Sequence, residues 1–194
     1  MGKFLYNLGV RSYSSAIHLA SPFKDKAKLW VRGRKEQEIK THDGCIWIHC
    51  ASLGEFEQAR PLIERIKDQI VESREQIVIT FFSPSGYEVR KDYELADAVY
   101  YLPLDKPSNA KAFLDKLKPS MAIFVKYEVW HYYFHELKHR NIPLYLISAT
   151  FRPDQIYFKS HGGFMKTTLK MCDHIFTQDD ASDQLLLEHG FTNS

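Results

Sequence analysis

Cysteine is scarce in this chain, a long hydrophobic run is missing, and the net charge is close to zero. The 194 residues hold only Cys45, Cys50 and Cys172. Odd in number and set in or beside apolar runs, these three offer no zinc spacing and fit reduced thiols of a cytosolic protein. No segment approaches the roughly 20 apolar residues that span a bilayer. The N-terminal apolar stretch is broken by Asn7, Arg11, Ser12 and Ser14, so no cleavable signal peptide is expected. A formal net charge of +2 is too small to argue for nucleic acid as a partner. No Gly-x-Gly-x-x-Gly run and no Walker phosphate loop is present, which removes the two commonest nucleotide fingerprints. Internal repeats and low-complexity segments are also missing.

What remains is an ordinary globular composition, 44% hydrophobic and 26% charged, long enough for one domain with a proper core. Short apolar runs at 45–50, 76–82, 98–102, 121–126, 143–148 and 174–177 are rich in Ile, Val, Phe and Tyr. Helical patterns occupy 55–69, 84–95, 107–117, 128–140, 157–171 and 179–189, with Pro107 and Asn141 as boundary residues. Strands alternating with helices at this spacing predict right-handed crossovers and a parallel sheet. The fold class is therefore α/β, a Rossmann-like parallel sheet with helices on both faces, preceded by an N-terminal amphipathic helix. The division expected is 1–40 for the amphipathic helix and basic segment, and 41–194 for the Rossmann-like domain. Gly190 reads as the cap of the last helix and nothing after it resembles a closing element, so one domain of a longer protein is expected.

Residues 3–20 carry Tyr6, Val10, Tyr13, Ile17 and Ala20 on one helical face, with Lys3, Asn7, Arg11, Ser14 and His18 opposite. A basic cluster follows, including Lys24, Lys26, Lys28, Arg32, Arg34 and Lys35. An aromatic amphipathic helix beside cations suits an anionic bilayer surface. The same pattern also serves a helix packed on its own domain.

Four strand ends carry chemistry. Open α/β sheets bind ligands outside the carboxyl ends of their strands. After the first strand, Ser52-Leu53-Gly54-Glu55 turns into a helix and delivers Glu55 to that edge. The helix start favours the ionised carboxylate, a candidate general base, although Glu55 is equally a good first-turn residue. Ser83-Pro84-Ser85 forms a second such turn, where Ser83 either caps its helix or offers a hydroxyl to a ligand. Lys126-Tyr127-Glu128 ends another strand, and Glu128 there either faces Glu55 or caps the next helix. Arg152, after the fifth strand, is either an anion contact or an exposed loop residue. His135-Glu136-Leu137-Lys138-His139 fits the zinc-protease pattern His-Glu-x-x-His. Lys138 beside the histidines, no clear third ligand and a distance from the sheet edge all argue against zinc, and His131 extends a stripe that fits a solvated face.

Four segments together resemble the 3-deoxy-D-manno-octulosonic acid (Kdo) transferases of lipopolysaccharide synthesis. They are Leu29-Trp30-Val31-Arg32-Gly33-Arg34-Lys35, His49-Cys50-Ala51-Ser52-Leu53-Gly54-Glu55, Tyr101-Leu102-Pro103-Leu104-Asp105 and Tyr127-Glu128-Val129-Trp130. Each motif is weak alone; the ordered set, spanning the chain, is specific. The resemblance implies the acceptor-side half of a two-domain GT-B glycosyltransferase at the cytoplasmic face of the bacterial inner membrane. It implies inverting transfer of Kdo from the donor substrate CMP-Kdo to a lipid A precursor, with no metal and no cofactor. Glu55 is implied as general base and Glu128 as the second catalytic glutamate. Ser52, Gly54, Ser83, Ser85, Lys126 and Arg152 are then candidates for acceptor or phosphate contacts, and Lys28, Arg32, Arg34 and Lys35 for anionic lipid. The sequence departs from the family at Lys126, at His131 and at Ser148-Ala149-Thr150. The competing readings are a non-catalytic membrane-surface binding module and a zinc peptidase on the His135–His139 stripe.

Overall fold

The structure, a computed structural model, describes residues 2–70 and 75–192. Two helices lead the chain: α1 (Gly2–Ala20) and α2 (Asp25–Glu36). Six strands follow: β1 (Ile46–Cys50), β2 (Ile77–Phe81), β3 (Ala98–Tyr101), β4 (Met121–Val125), β5 (Leu144–Ala149) and β6 (His174–Thr177). Between them run α3 (Leu53–Gln69), α4 (Pro84–Arg90), α5 (Pro107–Leu117), α6 (His131–His139) and α7 (Gly163–Leu169), and α8 (Asp180–Glu188) follows β6. All pairings are parallel, in the order β3-β2-β1-β4-β5-β6. The expected α/β architecture is therefore present, and its chain reversal falls between β1 and β4.

The strands obey the rule for sheets covered on both faces, where continuous apolar runs replace alternation. Every residue of β1 and of β2 is buried. Ile46, Ile48 and Cys50 pack against Phe56, Ala59 and Ile63 on the α3 side. Trp47 enters the opposite layer with Phe113, Phe124 and Tyr133. None of the three cysteines is disulfide-bonded, and all are buried.

Several boundaries differ from the expectation for local reasons. The basic segment is itself a helix, α2. Helix α4 ends at Arg90 rather than continuing to residue 95. The pattern over 157–171 divides into a 3-10 turn (Ile156–Phe158) and α7, broken at Gly162, where a Cβ would stand 1.6 Å from the Ile156 carbonyl oxygen. Helix α6 begins at His131 and not at residue 128, because Glu128 lies in the turn after β4. Of the segment after Gly190, residues 193–194 lie outside the described residues.

The N-terminal helix shows the largest difference. Its predicted stripe faces the protein. The Tyr6 hydroxyl donates to Asp105 Oδ2 at 2.5 Å. Asn7, expected on the opposite face, also turns inward and accepts from the Tyr132 hydroxyl at 2.7 Å. The Tyr13 ring meets Trp30 and Phe82 at 6.2 and 5.7 Å. A second apolar set points outward: Phe4, Leu5, Leu8 and Leu19, with Phe23 just beyond, the last two 77% and 84% exposed. No helix among the described residues is long and apolar enough to cross a membrane.

Candidate active site

The reversal of strand order opens a crevice between the carboxyl ends of β1 and β4, the place where open α/β sheets bind ligands. The β1 end leads through Ala51 and Ser52 into α3 and supplies Glu55. The β4 end supplies Lys126 and Glu128. A cleft of about 450 Å³ lies beside them, walled by Tyr6, Val10 and Tyr13 of α1 and by Ala51, Phe82, Glu128 and Trp130. Its lining side chains are mostly aliphatic or aromatic, and Glu128 is the one carboxylate among them.

Glu55 is the third residue of α3 and is buried. Its Oε2 accepts hydrogen bonds from the Ala51 amide and, at 3.2 Å, from the Ser52 amide. This is the glutamate half of a capping box with Ser52 at the N-cap position. Among the described residues no hydrogen bond is made by Oε1. One carboxylate oxygen is thus held by the helix start, and the other is not. The expectation that the helix start favours the ionised carboxylate is corrected. Burial, and then the charge of Glu128, push Glu55 up to about 7 against the pull of two amides and Lys126. Desolvation outweighs the helix start because water is excluded while a second carboxylate shares the site. A carboxylate poised there is a stronger base near neutral pH.

Glu128 does not cap α6. Its Oε2 accepts from Trp130 Nε1 at 3.0 Å and lies 3.7 Å from His49 Nε2. The α6 start is held instead by Asp105, which accepts from the Tyr132 and Tyr133 amides at 3.0–3.1 Å as well as from Tyr6. Asp105 therefore pins α1 to the sheet domain. Burial pushes its carboxyl up to about 6, although four donors oppose that shift. In the sequence Asp105 stands only as the last residue of the Tyr-Leu-Pro-x-Asp motif, and an acid following Pro103 at a strand exit is the one local signal of this role.

The remaining expected residues separate into two groups. Lys126 is in the site, with an electrostatic influence on Glu55, and holds a left-handed φ of +63°. A non-glycine residue there is strained, as is common where a site fixes the backbone. Gly54 is exposed, and a Cβ added to it would meet nothing within 4 Å, so packing does not require glycine at this position. Ser83 caps α4: its Oγ accepts from the Ser85 amide at 3.3 Å and pairs with the Ser85 hydroxyl at 2.9 Å. The Ser83 amide bonds the Ala51 carbonyl at 2.7 Å, which ties this turn to the β1 exit. Arg152 is an exposed loop residue that pairs with Asp154 at 3.6 Å.

Among the cations expected at a bilayer, Lys28, Arg32 and Lys35 are exposed, and Arg32 pairs with Glu36 at 2.8 Å. Arg34 belongs to the fold instead. Its Nε donates to the Leu102 carbonyl at 3.0 Å and its Nη2 to the Phe82 carbonyl at 2.7 Å, and its guanidinium lies 3.9 Å from the Trp30 ring centre. Burial lowers Arg34 to about 9. His131 is likewise not on a solvated face: it is buried, shares a hydrogen bond with the Thr168 hydroxyl at 3.0 Å, and is lowered to about 4 by desolvation. His135 and His139 are exposed on α6. No group of three His, Cys, Asp or Glu among the described residues is arranged to hold a metal ion.

Comparison with known proteins adds a family. The model of a family described as "3-Deoxy-D-manno-octulosonic-acid transferase (kdotransferase)" matches residues 26–194. A protein named 3-deoxy-D-manno-octulosonic acid transferase from Aquifex aeolicus (strain VF5) is 33% identical over 96 residues, covering 49% of this chain and 26% of that relative. One of the same name from Haemophilus influenzae is 36% identical over 106 residues, 54% of this chain and 24% of the relative. A bifunctional glycosyltransferase/methyltransferase from Fusobacterium nucleatum subsp. nucleatum is 26% identical over 183 residues, 90% of this chain and 28% of the relative. The matched region thus spans about a quarter of the length of these relatives.

Proposed function

The chain belongs to the 3-deoxy-D-manno-octulosonic-acid transferase family, and from that premise we propose that it is the acceptor-side half of a GT-B glycosyltransferase of lipopolysaccharide synthesis. The donor is CMP-Kdo and the acceptor a lipid A precursor. The donor's nucleotide is bound by a second domain outside these 194 residues. In the transfer, an acceptor hydroxyl gives its proton to Glu55 Oε1. The hydroxyl oxygen bonds the anomeric carbon of Kdo from the face opposite the phosphate, and CMP leaves with the bonding electron pair. The anomeric centre is inverted. The acceptor hydroxyl is the nucleophile, Glu55 takes its proton and CMP leaves as a phosphate monoester, so the step is written without a metal or cofactor.

The observation that carries this reading is the state of Glu55. It stands at the topological switch point with one oxygen anchored and one free, and its basicity is raised to about 7. In the complete protein, Glu55→Gln should lower kcat by about 10²–10⁴-fold while leaving CMP-Kdo binding intact. Retention of more than about a tenth of wild-type kcat would remove Glu55 as the base. The 194-residue chain alone should fold and transfer nothing; Kdo transfer by it would refute the two-domain reading.

The acceptor side also implies a bilayer. The outward set Phe4, Leu5, Leu8, Leu19 and Phe23, with Lys24, Lys26 and Lys28 nearby, suits the interface of an anionic membrane at the cytoplasmic face of the inner membrane. Burial of this set would place the cleft between α1 and the crevice at the membrane surface, where a lipid acceptor presents its sugar. Sedimentation should show salt-sensitive binding to anionic vesicles that is reduced by charge reversal at Lys28 and Arg32 and by Leu8→Ser with Leu19→Ser. Equal binding to neutral vesicles by all variants would leave α1 a structural helix only. Arg34 is not a useful target in that test, since its loss would damage the fold.

A further inference from the structure

His49 is fully buried on β1, directly opposite Thr80 of β2, and one of its ring nitrogens has no partner. Its neighbours determine which nitrogen carries the proton. Trp47 Nε1–H donates to Thr80 Oγ1 at 2.9 Å, and an indole N–H can only donate. A hydroxyl oxygen can accept twice, but among the described residues His49 Nδ1, at 2.8 Å, is the one acceptor within reach of the Thr80 hydroxyl proton, so donation to Nδ1 satisfies both groups. A neutral imidazole that accepts at Nδ1 carries its hydrogen on Nε2. That Nε2–H is the unpartnered group. It points towards Glu128 Oε2, 3.7 Å away, just beyond hydrogen-bond length. The Phe124 and Trp130 rings, with centroids 5.2 and 6.4 Å from that of His49, limit where the imidazole can turn. Glu128 is 15% exposed against none for His49, accepts from Trp130 Nε1 at 3.0 Å and forms part of the cleft wall. A buried donor without a partner is unfavourable, and a carboxylate shift of under about 1 Å would satisfy it.

We propose that His49 is a positioning residue for Glu128: the Trp47–Thr80–His49 chain holds an Nε2–H donor that fixes the Glu128 carboxylate at the mouth of the cleft when the acceptor occupies it. The catalytic half of this inference rests on the Kdo-transfer reading above; the hydrogen-bond half does not. His49 touches no reacting atom and acts only through Glu128.

Two substitutions divide the imidazole's functions. In His49→Gln the amide nitrogen reaches the place of Nε2 and keeps a donor towards Glu128. In His49→Asn the amide stays near Nδ1, so the Thr80 contact survives and the donor towards Glu128 is lost. In the complete protein, His49→Asn should lower kcat by about 10–100-fold with KM for the acceptor changed by less than about threefold, and His49→Gln should remain within about fivefold of wild type. In a Glu128→Gln background, His49→Asn should cause no further loss. Equal impairment by Asn and Gln at equal melting temperature, or losses that multiply in the Glu128→Gln background, would overturn the proposal. A readout independent of activity separates its failure from failure of the transferase reading. Long-range ¹H–¹⁵N correlation spectra of the 194-residue chain should show His49 protonated at Nε2, with a resonance moved by Glu128→Gln. A proton on Nδ1, or no response to Glu128→Gln, would overturn the hydrogen-bond assignment even if the wild-type enzyme transfers Kdo.

Discussion

Replacing Glu55 by glutamine should abolish transfer and, at alkaline pH, make the domain more stable. Folding moves the Glu55 carboxyl from 4.5 to about 7, chiefly through burial and the neighbouring Glu128 charge. At about 1.4 kcal/mol per pH unit, this corresponds to roughly 3 kcal/mol, and relaxation around the ionised carboxylate brings the expected effect to about 1–3 kcal/mol. Because the folded-state value is raised, the folded protein holds this proton more tightly than the unfolded chain. The associated stability is complete below about pH 4.5 and is lost as pH rises through 7. Glutamine mimics the protonated carboxyl at every pH and still offers an oxygen to the Ala51 and Ser52 amides. Wild type and Glu55→Gln should therefore unfold alike near pH 4.5. At pH 8 the variant should gain about 1–3 kcal/mol, or about 2–10 °C in Tm for a chain of this size. Asp105 and His131 also titrate in this range, but they are common to both proteins and cancel in the difference. Paired urea or thermal denaturation at the two pH values is the assay. A stability difference that does not change with pH, or a variant less stable at pH 8, would refute the argument that Glu55 is a buried base of raised pKa.

The acid limb of the kcat/KM profile for Kdo transfer should lie near pH 7, since only ionised Glu55 accepts the acceptor proton; activity undiminished at pH 5 would contradict this. Tyr6→Phe should destabilise the fold by about 1.5–3 kcal/mol, because the hydroxyl donates to a buried carboxylate, and should loosen α1 in hydrogen exchange before the sheet. Gly54→Ala should raise stability by up to about 1 kcal/mol, since alanine suits a helix and its Cβ meets no atom, yet raise the acceptor KM several-fold if the backbone approaches the ligand. Arg34→Leu should cost at least about 2 kcal/mol in chemical denaturation, because the Leu102 and Phe82 carbonyls lose their charged donor.

Local sequence determined the alternation of strands and helices, and with it the parallel sheet. Continuous apolar runs such as Ile46–Cys50 are legible because a doubly covered strand buries every residue, and Pro107 marks the start of α5 because its missing amide hydrogen is not needed there. The placing of Glu55, Lys126 and Glu128 at strand exits followed from the same periodicity. Other features came only from tertiary packing, because they depend on residues distant in sequence. Strand order put the β1 and β4 exits side by side, so two carboxylates share one crevice and burial overrides the helix start at Glu55. Helix α1 carries apolar residues on two faces, and periodicity alone cannot say which one meets the sheet. Asp105, 99 residues from Tyr6, made that choice by holding α1 and the start of α6 together. Arg34 left the basic cluster for two backbone carbonyls and an aromatic face, partners that no local pattern reveals. His49 and Thr80, 31 residues apart, became one hydrogen-bonded chain because the β1–β2 register set them opposite each other.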